Sequence, residues 1–512
     1  MTDASSLVRS LLIYGVCLPL AVFVGYLLAA PMDVMSLVLL GILFGVLTIP
    51  IFLRWHHLWL IAFWNANMMA FFLPGRPTFA LVMCAISLTL SVLQHILNKR
   101  IKFLSVPTIA WPLVFLTAVV LITAELTGGI GLQIAGGQSF GGKRYLLVVG
   151  AVMGYFALTA RQAPQHKVNL YVGLYFLGAL TSAAANLAGV ISPGLYFIFL
   201  IFPVDPLSLG ASPNVAGGGE GVSRLGGLAG AALALVWVML AFYGVKGLFR
   251  KNWRTMLLLI CFVSILFGGY RGNLITFALT FGILFFMEGM MRSRVMPVLL
   301  LTSVLGGALL LSFTDRLPFG VQRTLSFLPV HVDPIVAADV KDSTDWRLDM
   351  WKIVIPDIPK YLILGKGYSF DPAEMEMIQS GLTKGEGNTS AGSALAGDYH
   401  NGPLSVIMPF GIFGVIGFLW LLGAGIKVLR QNYRYGDPAL EQINRFLLAQ
   451  FIAKAIFFFT IFGSLYSDLP FFTGLLGLSV CINGGVRRGL APAPAPKIVI
   501  NKFKLAGANA VR

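Results

Sequence analysis

Charge is scarce in this chain. Of its 512 residues only 11% are Asp, Glu, Lys or Arg, against 57% hydrophobic, and the mean hydropathy is +0.83. A soluble domain carries roughly 25% charged residues. Half that fraction leaves too little water-compatible surface for a soluble enzyme, and it also excludes a disordered or fibrous chain. Cysteine is nearly lacking. Cys17, Cys84, Cys261 and Cys481 each lie in an apolar run, with neither metal-ligand spacing nor a disulfide framework, and read as small core residues. No solenoid-type repeat and no cleavable signal pattern occur.

What is present is a succession of apolar runs. A spanning helix needs about 20 apolar residues. On that rule spans are expected near 10–29, 34–53, 58–74, 78–97, 108–126, 145–160, 168–188, 226–248, 255–270, 273–290, 296–313, 404–428, 446–466 and 469–485, about 14 in all. The stretch 190–204 is short and interrupted by Pro193, and reads as re-entrant or interfacial. The fold class expected is an all-α polytopic membrane protein. Its parts are an N-terminal bundle at 1–313, a large, partly helical loop at 314–402, C-terminal spans at 403–486 and a basic, Pro-rich tail at 487–512.

The net charge of +16 is unevenly spread. Segment 314–402 holds twelve acids and eight Lys or Arg, a net charge of −4, so the rest carries +20. The basic residues cluster in short connections between apolar runs. This is the pattern of membrane topology, not of a nucleic-acid stripe. With both termini inside, seven inward connections carry Lys or Arg, and 314–402 falls outside, in the periplasm of a bacterial inner membrane. Residues 255–290 would make a helix about 54 Å long, against a hydrocarbon core of about 30 Å. It must break at Gly268-Gly269-Tyr270-Arg271-Gly272-Asn273, which sets Arg271 at an outward turn. There it avoids the roughly 2.5–3.5 kcal/mol cost of a bilayer-centre Arg.

Loop 314–402 is too long for a simple connection. Ser343 or Thr344 can cap a helix through Asp345-Trp346-Arg347 that Pro356 ends, with Leu348, Trp351 and Ile355 on one face. A second short helix is expected from Asp371-Pro372, and residues 381–398 read as a mobile Gly/Ser-rich stretch. The loop closes with Asp398-Tyr399-His400-Asn401-Gly402-Pro403, where Pro403 suits the first turn of the next span. His400 is thereby expected at the mouth of a membrane helix, whose amides attract anions such as phosphate. Gly411, Gly414 and Gly417 follow at every third position and suit close helix packing.

Three motifs carry a resemblance: R-L-x-x-W at 347–351, L-G-K-G at 364–367, and H-N followed by nine residues and G-x-x-G at 400–414. Together they resemble the O-antigen ligase family, membrane glycosyltransferases that also include polysaccharide polymerases and general O-oligosaccharyltransferases. Arg271 in Y-R-G-N resembles the family's Arg-Gly at an outer helix end. Arg224 resembles a weaker Arg-Gly motif, although the Asn-Pro-Asn that often follows is lacking. The family's roughly 12 spans are also fewer than the runs counted here.

The resemblance implies a GT-C-like architecture and transfer of a glycan from a polyprenyl-diphosphate donor to an acceptor hydroxyl on a glycolipid or glycan. No cofactor and no metal are implied, and no Asp-x-Asp occurs to hold a nucleotide sugar through a metal. It implies His400 as general base, or as an imidazolium on the diphosphate. Arg271 and Arg347, with Asn401 and Arg224, would bind the diphosphate, for which Arg supplies a bidentate fork. Trp351, Gly365, Gly367, Gly411 and Gly414 would be structural. Blander readings stand beside these. Arg271 can be a snorkelling anchor, Arg347 can pair with Asp345 or Asp349, Trp351 can be loop core, and Lys143 and Arg144 can be interfacial anchors or lipid-phosphate contacts. A flippase or a non-catalytic scaffold is the competing function. Transporters bind near the midplane through intramembrane charge, whereas here the polar investment lies in the loop.

Overall fold

A computed structural model describes residues 53–99, 103–128, 141–204, 224–370 and 390–487, with isolated residues beyond those ranges. The expected spans at 10–29 and 34–53 lie almost wholly outside the described residues, as does the tail after 487. Among the described residues the fold is helical, with a lone antiparallel bridge between Met69 and Thr78. Seven stretches are long and apolar enough to cross a bilayer: Phe79–Leu97, Pro107–Leu126, Gln165–Gly189, Gly226–Leu248, Gly402–Tyr435, Pro438–Thr460 and Leu465–Asn483. Fewer expected spans are met than were read from the apolar runs. Residues 58–74 are helical only to 63, beyond which Asn65, Pro74 and Gly75 stand in turns and irregular chain. Residues 252–310 form the shorter apolar helices Asn252–Leu266, Arg271–Met287 and Val295–Leu310. The piece at 193–200 is a 3₁₀ helix of eight residues.

The helices used below are α1 (Pro107–Leu126), α2 (Gly142–Thr159), α3 (Gly226–Leu248), α4 (Asn252–Leu266), α5 (Arg271–Met287), α6 (Phe319–Leu325), α7 (Pro334–Val354), α8 (Ile358–Tyr361), α9 (Ser390–Ala396), α10 (Gly402–Tyr435), α11 (Glu441–Thr460) and α12 (Leu465–Asn483). The core lies where α12 packs on α2 and where α10 runs along α1 and α11. It is filled by large aromatics; Phe418 meets Phe458 at 5.0 Å and Phe472 at 5.8 Å between ring centroids. α12 also brings in a buried acid that the apolar runs concealed. Asp468 accepts from Lys454 at 2.7 Å and from the Ser464 amide at 2.9 Å, as a buried charge must be paired.

Two helices are interrupted at glycines. In α3, Gly244 leaves the helical region, and the freed amides of Val245 and Lys246 donate to the two carboxylate oxygens of Glu288, each at 2.9 Å. The second break, at Gly411 in α10, belongs to the site.

The described parts of segment 314–402 are largely helical. α7 begins about ten residues before the expected start at Ser343 or Thr344. Asp333 caps the Ile335 amide at 2.8 Å, with Pro334 in the first turn, so the Asp-Pro pair supplies the earlier start. The face expected to be inward is also displaced. Val336, Met350 and Val354 are buried, whereas Leu348 and Ile355 are exposed. Part of the expected mobile stretch is the helix α9. Ala373, Glu374 and Glu376 are helical, while Asp371 and Pro372 lie outside the described residues.

Candidate active site at the mouth of a broken helix

α10 starts where Asn401 takes the Leu404 amide on its side-chain oxygen at 3.0 Å. The residue before it, His400, has φ of +47°, a left-handed conformation uncommon outside glycine. That turn lays the imidazole between two aromatic rings, 5.0 Å from Trp346 and 5.2 Å from Phe462 between centroids. Its Nε2 is 3.7 Å from a carboxylate oxygen of Asp398. Its Nδ1 is buried with no partner among the described residues. Burial lowers the His400 pKa below its ordinary value; Asp398 opposes the shift and the charge of Arg347 adds to it. The ring is therefore biased to the neutral form.

Arg347, on α7 beside Trp346, is half-buried, and its buried Nε has no partner among the described residues. It pairs with neither of the acids considered for it; Asp349 pairs with Lys352 instead. Its pKa is lowered by burial first, and then by the positive charges of Arg271, Arg323 and Arg224. Arg271 is the first residue of α5 and is half-buried. It makes no ion pair among the described residues. Four guanidiniums and one imidazole thus act on one another electrostatically.

One carboxylate holds part of the cluster. Asp339 on α7 accepts from Arg224 Nη2 at 3.0 Å and from Arg323 Nε at 2.5 Å. Arg323, on α6, also donates to the Gly269 carbonyl at 2.6 Å. It therefore ties α7, which carries Arg347, to the turn that carries Arg271. Arg224 lies over the Tyr270 ring, 5.6 Å from its centroid. Arg224 and Arg323 share the single carboxylate of Asp339, whereas Arg271 and Arg347 have no ion-pair partner among the described residues.

The three motifs meet at the break in α10. Gly411 leaves the helical region (φ +58°), which removes the amides beyond it from the carbonyls one turn earlier. The carbonyls of Met408 and Pro409 then accept from the amides of Lys366 and Gly367 at 2.7 and 2.9 Å, and the Ile412 amide donates to Leu362 at 2.7 Å. A Cβ on Gly365 (φ +84°) would stand 2.2 Å from the Pro409 carbonyl, and one on Gly411 2.5 Å from that of Ile363. Gly411 is thus a docking break, not a helix-packing contact. Helix approach falls to Gly417, which lies against Phe115 of α1. Gly414 packs on Phe410, one turn earlier in the same helix, and Gly367 lies against Thr127 and Tyr145. Trp351 donates to the Tyr399 carbonyl at 2.9 Å and packs in a small core with Met350, Val354 and Met408. Arg144, on α2, holds the loop from the other side. It donates to the Ala396 carbonyl and lies 4.9 Å over the Tyr466 ring.

His400, Arg347, Arg271 and Arg224 are therefore brought to one region. Asn401 adjoins it, but its side-chain oxygen is spent on capping. Sequence reasoning missed Arg323, Asp339, Trp346 and Phe462. Arg323 carried a signal, a lone cation in the otherwise uncharged helix Phe-Gly-Val-Gln-Arg-Thr-Leu after Pro318. The other three carried none.

The apolar helices define a polytopic membrane protein, and the site adds a group of arginines around a histidine beside the first residues of a spanning helix. Residues 255–419 match the family model described as O-antigen ligase. The match takes in His400, Arg347, Arg271, Arg323, Asp339 and Trp346 but not Arg224 or Phe462, and likeness to this family implies a membrane glycosyltransferase of the ligase or polymerase kind. Comparison with curated proteins gives no match.

Proposed function

We propose that this protein transfers a glycan from a polyprenyl-diphosphate carrier to an acceptor hydroxyl, at the periplasmic face of a bacterial inner membrane. The observation that carries this reading is the grouping of two partly buried arginines, without an ion-pair partner among the described residues, with a histidine whose pKa is lowered by burial. An anion relieves the mutual repulsion of the guanidiniums, and a neutral imidazole can accept a proton. In the reaction the acceptor oxygen bonds to the anomeric carbon and its proton passes to His400. The bond from that carbon to the diphosphate oxygen breaks, and polyprenyl diphosphate leaves with the electron pair. Charge grows on the leaving group in the transition state, so Arg271 and Arg347 stabilise that state more than the ground state. Arg224 and Arg323, bound by Asp339, hold the geometry.

Height in the membrane supports the same reading. Lys427 is exposed on α10 and marks the far interface. A hydrocarbon core of about 30 Å then ends near Ile407, at 1.5 Å per residue. His400 stands about 10 Å beyond that edge, at the level of lipid phosphates.

The test is a deletion strain with its lipid-linked and surface glycans analysed. Loss of long surface chains with accumulation of the lipid-linked donor is expected. The intact gene should restore transfer and one encoding His400→Ala should not, with a loss of about 10²–10⁴-fold in a normally inserted protein. Full restoration by that variant removes the base assignment. Chain length on the acceptor separates ligase from polymerase.

A further inference from the structure

We infer that residues 362–364 of the docked L-G-K-G turn are immersed in lipid, in the leaflet on the His400 side, with the leaflet's own acyl chains as their partner. The inference rests on the membrane reading of α10 alone and is independent of the transfer reaction.

Three observations converge. The first is register. The Leu362 carbonyl bonds the Ile412 amide, and Gly411 approaches the Ile363 carbonyl. Ile412 lies five residues inward of Ile407, about 7 Å inside the hydrocarbon edge placed by Lys427. The second is side-chain chemistry. Leu362, Ile363 and Leu364 are all exposed, Ile363 at 71%. The neighbouring helices present exposed apolar side chains beside it, Phe413 and Ile416 on α10 and Ile122 on α1, with the exposed Glu125 of α1 one turn beyond Ile122 on the headgroup side. The segment therefore continues their lipid-facing surface. Thr123 of α1 joins it by donating to the Leu364 carbonyl at 3.2 Å.

The third is backbone accounting. Irregular chain can enter hydrocarbon only where its polar groups are bonded to protein. Here the Leu362 and Leu364 carbonyls accept from the Ile412 amide and the Thr123 hydroxyl, and the amides of Gly365, Lys366 and Gly367, where the segment leaves, have carbonyl partners within 2.9 Å. The adjoining cation is also partnered, with Lys366 Nζ 3.5 Å from Glu374. A segment that dips about 5–10 Å below the headgroups is the usual depth of an interfacial anchor. It would fix the height of α7 and α9, and so of Arg347, relative to the lipid phosphates.

Nitroxide depth measurement tests this. The full chain carrying Cys17→Ser is labelled at Ile363→Cys or Leu364→Cys and reconstituted into vesicles of phosphatidylethanolamine and phosphatidylglycerol, without glycan donor. The other three cysteines are buried. Lys352→Cys, which is exposed to water, and Ile416→Cys, on the spanning helix, calibrate the scale. The expected result is an oxygen-to-nickel-complex accessibility ratio at 363 and 364 close to that at 416 and well above that at 352. A ratio at both positions that matches 352 overturns the inference. Either outcome leaves the glycan assay unaffected, so the two proposals fail separately.

Discussion

At the scale of residues, the chemistry turns on how one imidazole is surrounded. Trp346 and Phe462 flank His400 and partly shield it from water, and this desolvation is the largest influence lowering its pKa. If the neutral ring is the base, activity falls only as pH drops through that lowered value. The acid limb of the pH–rate profile is then expected below 6.5, the ordinary histidine value. Asp398 acts in the opposite direction by favouring the imidazolium. Asp398→Asn should therefore move the acid limb to still lower pH, read as transfer rate against pH at saturating donor. Activity that falls instead as pH rises through the His400 pKa would show that the protonated ring is the working form. Arg347 differs from an ordinary loop arginine in the same terms. Its neighbours are like charges, and the nearby acid Asp349 is already engaged by Lys352.

At the scale of elements, two devices hold the site. The first is the clamp formed by Arg323 and Asp339, which joins α6, α7 and the turn before α5. Asp339→Ala leaves buried guanidiniums without a counter-charge, at a cost of about 3–5 kcal/mol. A lower thermal midpoint is expected, together with a raised donor KM, because the spacing between Arg271 and Arg347 is then no longer held. An unchanged KM would assign the clamp to stability alone. The second is the docked break in α10, where the motifs L-G-K-G and G-x-x-G supply each other's backbone partners. Gly365→Ala would combine a left-handed backbone, worth about 1–3 kcal/mol, with a collision at the Pro409 carbonyl. Faster proteolysis of the 362–396 region, measured in membranes, is the expected result. Wild-type resistance would mean that the chain relaxes around the added methyl.

At the scale of the whole molecule, the paired distribution of charge and hydropathy carries the topology. With the orientation proposed, a cysteine at Lys352 should react with an impermeant maleimide only from outside the cell. One at Arg250, between α3 and α4, should react only after permeabilisation. Labelling of both from one side would contradict the count of spans between them. The long apolar helices and the matched domain together explain why the charged side chains gather at one end of α10 and not near the midplane, where a transporter would place them.

The sequence by itself determined that this is a helical membrane protein, because composition and run length act through solvent alone and need no partner. It also determined the break before Arg271, since a 36-residue run exceeds the bilayer, and it pointed to His400 through a motif of fixed spacing. Only the tertiary structure decided which charges are spent and which are free. Asp339 lies more than a hundred residues from Arg224, and pairing over that separation depends on how α6 and α7 fold back on the helices. The same holds for Gly411. Along the chain it reads as a packing glycine, and only the carbonyls of a distant turn show that a side chain there has no room.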